Sequence, residues 1–154
     1  MNVEQFKLFK RITLDYFAKL APADEQPLLG EPHMHFGDPE LLDYTSLIGI
    51  DGEYQGCIYL TSPSEMLKDV LLINGEHRDT PAHLKDMCQE FSNVLSGNAS
   101  KAFGGNWQIS VPRSLTKDEA QTLEMPESTF VMPINWRGRQ SLLVVGLRAA
   151  QEAA

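Results

Sequence analysis

Two side chains in this 154-residue sequence have the types and spacing to act together on a ligand: Glu90 and Asn93, in the run Glu90-Phe91-Ser92-Asn93. Three residues apart on a helix, they stand one turn apart on the same face, with Cβ atoms on the order of 5–6 Å from each other. The asparagine amide has two uses at once. Its oxygen accepts a hydrogen bond from a water, while its NH₂ donates to a nearby oxygen. Gly97 and Lys101 continue the same face at spacings of four. Gly97 adds no side chain, so another protein's backbone can approach closely there. The wheel angle of Asn98 directs it toward the apolar side, where its amide would need backbone partners. The bland alternative is that Glu90 and Asn93 are ordinary polar residues on the wet side of an amphipathic helix.

The element that must hold these residues is well marked. Thr80-Pro81 is a cap followed by a first-turn proline, and the helical pattern runs to Phe103 before Gly104-Gly105. Phe91, Leu84, Ala102, Leu95 and Cys88 gather on its core side, opposite Glu90, Asn93, Gly97 and Lys101. Val3 to Leu20 has helical spacing as well. Ser62-Pro63 with Glu65 reads as a second helix start, with Ser62 as cap and an end near Asn74-Gly75. Ser46 to Thr61 reads as a hairpin about Asp51-Gly52, and Thr129–Trp136 with Ser141–Leu147 as another about Arg137-Gly138-Arg139. Trp107 to Pro112 alternates as a strand, His33 to Phe36 as a short one, and Thr116 to Met125 holds a short helix. The expected architecture is α/β or α+β: a single mixed or antiparallel sheet with flanking helices, in one domain over residues 1–154 with 149–154 as a frayed tail.

Composition narrows the function. With 42% hydrophobic residues the chain can build one core, and a formal charge of -8 argues against nucleic-acid and anionic-membrane binding. No apolar run approaches the roughly 20 residues of a spanning helix. No small-residue cleavage site follows the first residues, so neither a signal peptide nor membrane insertion is expected, and the cytoplasm is the expected compartment. Cys57 and Cys88 are too few for a disulfide framework or thiolate zinc site, and Cys88 reads as a buried, inert thiol. His33 and His35 share a strand face but lack a third ligand, so no metal site is expected; His77 and His83 read as solvated, Trp107 and Trp136 as anchors.

The stretch Glu90-Phe91-Ser92-Asn93-Val94-Leu95-Ser96-Gly97-Asn98-Ala99 resembles the active helix of the CheC/CheX/FliY family of chemotaxis phosphatases, in which Glu-x-x-Asn is followed after three residues by Gly-Asn-Ala. Asp86, the Ile48-Gly49-Ile50-Asp51-Gly52 hairpin with Gly56, the Ile109-Ser110-Val111-Pro112 strand and the Pro133–Leu147 hairpin extend the resemblance over roughly two-thirds of the chain. Glu90 is the only Glu followed by Asn at the third position, as in the CheX branch. The resemblance implies hydrolysis of the phospho-aspartate of a CheY-like receiver domain. Asn93 would orient the water and Glu90 would pair with the receiver's lysine. Gly97 and Lys101 would lie in the contact, with Asn98 as structural support. It also implies a homodimer and no cofactor on this chain, Mg²⁺ being brought by the receiver. Two other readings stay open: a non-catalytic module that binds a receiver or flagellar switch component through the same face, and an acidic interaction domain unconnected with phosphotransfer.

Overall fold

A computed structural model describes residues 3–34, 40–126 and 129–150. In chain order the elements are α1 (Val3–Leu20), β1 (Leu28–Leu29), β2 (His33–Met34), β3 (Tyr44–Gly52), β4 (Tyr54–Ser62), α2 (Ser64–Ile73), α3 (Pro81–Ala102), β5 (Trp107–Ile109), β6 (Arg113–Ser114), α4 (Lys117–Gln121), β7 (Thr129–Trp136) and β8 (Arg139–Ala149). The strands form one sheet in the order β1-β7-β8-β4-β3-β5, with β2 also on β7 and β6 also on β3. Every pairing among the described residues is antiparallel. Of the two sheet types expected, the antiparallel one is present.

Period-two alternation sends each strand's side chains to two different cores. Ile48, Ile58, Leu60, Ile134 and Leu143 face Phe17, Met66, Leu67, Phe91 and Leu95 of the three long helices. Leu47, Cys57, Tyr59, Val131, Leu142 and Val144 face the other way, against Leu115 and Ala120. The β7–β8 hairpin closes through Arg137 at φ 51 and Gly138 at φ 75, the left-handed pair that a two-residue turn of matching twist requires.

Four expectations need correction. Ser62 is the buried last residue of β4, with its Oγ 2.8 Å from Ser141 Oγ; the N–H of Ser64 is taken instead by the Asp43 carboxylate at 2.8 Å. The strand from Trp107 ends at Ile109: the Ser110 N–H still donates to Gly49 O at 3.0 Å, but the Gly49 N–H is taken by Ser110 Oγ at 2.8 Å in place of a backbone carbonyl. Ala102 is exposed rather than in the core. The tail is paired at its start: Ala149 is in register with Tyr54, and the Ala150 N–H donates to Glu53 O. Residues 151–154, His35 and Phe36 lie outside the described residues.

Candidate functional site

The Thr80 hydroxyl caps α3 by accepting the His83 N–H, and Pro81 occupies its first turn. At 22 residues the helix is about 33 Å long, enough to cross the sheet. Its azimuth is set from two sides. Leu84, Cys88, Phe91, Leu95 and Ala99 are buried hydrophobics, each of the larger ones contributing ~1.5–3 kcal/mol. Ser92 and Ser96 are buried too; their small side chains let the helix axis come close to β3, and Ser92 Oγ lies 2.8 Å from Ser46 Oγ of that strand. Phe91 is stacked on Tyr16 of α1, rings 4.6 Å apart and 11° from parallel, and meets Phe17 edge-on at 5.7 Å. With those faces held, Asn93 is turned to solvent and Glu90 to the open edge of the α1 seam.

Both are exposed, and neither side chain makes a hydrogen bond or ion pair among the described residues. Gly97 follows on the same face, and a Cβ placed there would meet nothing within 4 Å. Lys101 is exposed one turn further on. The four residues expected to share an open face do so.

Asn98 does not behave as expected. It is exposed and lines the space between α3 and α1 rather than entering the core. Its wheel angle aims at the α1 seam, but the seam is open to clefts beside Asn98 and Ala102, and both stay exposed. The opening holds two adjoining clefts. One, of about 280 Å³, is lined by Asp15, Tyr16, Lys19, Asn74, Glu90 and Val94 among others. The second, of about 520 Å³, continues past Arg11, Ile12 and Lys101, and Asp15, Lys19 and Asn98 border both.

Tyr16 was not singled out by its sequence position. Its hydroxyl is pushed up to about 12, first by burial and then by the Glu90 carboxylate beside it. The signal that would have found this wall is the spacing of Arg11, Asp15 and Lys19, four apart on one face of α1. His33 is exposed on β2, and no group of three or more His, Cys, Asp or Glu among the described residues is placed to hold a metal. No described helix is long and apolar enough to cross a membrane.

An antiparallel sheet carrying a long capped helix with an open carboxylate–amide pair defines the class, and comparison with known proteins gives the family. The model of the chemotaxis phosphatase CheX family matches residues 44–135, more than half of the sequence and all of α3. The chain belongs to the CheX family. No curated protein matches it significantly. Among solved structures it is similar to a CheC-like superfamily protein from Shewanella sp. PV-4, at 17% identity and TM-score 0.81, covering 97% of this chain and 100% of that one. It is similar also to chemotaxis protein CheX from Vibrio vulnificus, at 16% identity and TM-score 0.77, covering 95% and 100%. The CheX–CheY–BeF3–Mg²⁺ complex from Borrelia burgdorferi matches at 14% identity and TM-score 0.74, covering 96% and 99%. At such identities the likeness speaks for the fold.

Proposed function

We propose that this protein hydrolyses the aspartyl phosphate of a CheY-like receiver domain, with Asn93 placing the water and Glu90 docking to the receiver's lysine. The observation that carries the reading is the exposure of both side chains, without a hydrogen bond or ion pair among the described residues, on a helix whose other faces are fixed by packing. Membership of the CheX family and the similarity to a CheX found in complex with CheY support the class of partner.

Little bond-making falls to this chain. Phosphoryl transfer is accelerated mainly by position and charge neutralisation. Mg²⁺ comes with the receiver, and this chain contributes the amide. The Asn93 amide oxygen accepts a hydrogen bond from the water, which turns an oxygen lone pair of that water toward phosphorus; the amide NH₂ stays available to a phosphoryl oxygen. Glu90, one turn earlier, holds the helix across the receiver's pocket. The open surface at Gly97 lets the receiver's backbone come close.

Copies of the chain pair through a sheet edge in the same reading. Support comes from Leu28, 77% exposed on the edge strand β1, which pairing would cover. The cytoplasm, where receiver domains are phosphorylated, is the compartment this function requires.

The test is to add the protein to phosphorylated receiver domains and follow release of inorganic phosphate. Faster release than the receiver's own decay is expected for at least one receiver. Binding to a receiver without any acceleration would favour a non-catalytic module instead.

A further inference from the structure

Among the described residues, seven of the thirteen Lys and Arg side chains are held in ion pairs. Among the described residues Arg11, Lys19, Lys85, Lys101, Lys117 and Arg148 have none. Three of those six, Arg11, Lys19 and Lys101, border one place, the 520 Å³ cleft between α1 and α3. All three are exposed, with Asp15 the one carboxylate among them. In a chain of formal charge -8, such a concentration of unpaired cations is a local reversal of the overall field.

Its position matters as much as its charge. The cleft adjoins the smaller one that Glu90 lines, sharing Asp15, Lys19 and Asn98 with it. From Asn93 to Lys101 is eight residues of helix, about 12 Å. A specific protein complex buries roughly 800 Å² on each partner. Glu90, Asn93 and Gly97 cannot supply that alone, so a partner seated on them must extend over a neighbouring surface. On the sheet side of α3 the cation on β6, Arg113, is already held by Glu119, and Gln89 is bonded to Ser114. Apart from Lys85 near the start of α3, the unpaired cations closest to that helix lie on its α1 side.

We infer that the α1–α3 groove is the second half of the partner surface, in which Arg11, Lys19 and Lys101 receive a carboxylate-bearing segment of the receiver lying beside its phosphoaspartate. This rests on the reading of function given above, and it adds to it the feature that selects among receivers. The overall negative charge repels an acidic partner in every other orientation, while the groove attracts it in the one that brings its phosphoaspartate to Asn93.

The experiment compares wild type with the triple variant Arg11→Ala/Lys19→Ala/Lys101→Ala, using a receiver that wild type dephosphorylates, over a series of salt concentrations. The expected result is a roughly tenfold higher KM for the triple variant, an unchanged kcat, and a flatter dependence of KM on salt. Lys19→Arg/Lys101→Arg keeps the charge and is expected to keep the wild-type KM. Lys117→Ala/Arg148→Ala, which removes unpaired cations elsewhere, should match wild type. A triple variant with wild-type KM and salt dependence, while Asn93→Ala still loses turnover, overturns the groove and leaves the phosphatase reading standing. A wild-type protein that binds no receiver overturns both.

Discussion

At Asn93 the choice of an amide over a carboxylate can be weighed. Two unit charges 4 Å apart at an effective dielectric of ~20 repel by about 4 kcal/mol. A carboxylate in this place would set that penalty against the phosphoryl group, although it too can hold a water. Asn93→Asp is therefore expected to lose most of the acceleration despite its nearly identical shape; phosphate release at the wild-type rate would show that position alone suffices. Glu90→Lys replaces the docking carboxylate with a like charge to the receiver's lysine. It should weaken receiver binding by tenfold or more, read by titration, and unchanged affinity would remove Glu90 from the contact. Neither change should disturb folding, since both side chains are exposed and unbonded.

At the scale of elements, α3 is the part on which the site depends, and Gly97 is its telling position. Glycine inside a helix costs about 0.5–1 kcal/mol relative to alanine. Nothing in the fold demands it, since a Cβ there meets open space. Gly97→Ala should thus raise Tm by a few degrees and at the same time weaken receiver binding, because the methyl stands where the partner's backbone approaches. A variant that is more stable and binds as well as wild type would show the surface over Gly97 to be unused. The helix itself was legible in the sequence: Thr80-Pro81 marked its start, Gly104-Gly105 its end, and the period of Leu84, Cys88, Phe91 and Leu95 its buried side. Asn98 was misread because a wheel angle gives a direction but not a neighbour. Whether α1 covers that direction depends on how two helices that start nearly eighty residues apart pack against each other. Ser62 was misread for a related reason. Its local signature is that of a cap, but the hydroxyl of Ser141 across the sheet and the carboxylate of Asp43 satisfy the same needs from a distance.

For the molecule as a whole, packing on the sheet and between the helices buries groups that resist ionisation. Burial pushes the Cys57 thiol up to about 11 and the Cys88 thiol up to about 12, both from 9.0, and the Tyr16 hydroxyl from 10.0 to about 12. Above their ordinary values the unfolded chain loses these protons while the folded chain retains them. Their contribution to stability is therefore intact below about pH 9 and is lost as the pH rises toward 11 to 12. Thermal melts should show Tm falling through that alkaline window; a Tm level up to pH 12 would contradict the burial of all three. For the same reason both thiols should resist alkylation until the protein unfolds. The antiparallel order of the sheet was half legible. Two hairpins follow from Asp51-Gly52 and Arg137-Gly138, but the β4–β8 pairing that joins them spans most of the chain and leaves no local mark.

The most direct test of the account separates binding from chemistry at Asn93. Phosphate release from a saturated complex with phosphorylated receiver should fall by ~10²–10³ in Asn93→Ala, while the dissociation constant stays within a few-fold of wild type. A variant that releases phosphate from the saturated complex as fast as wild type would contradict it.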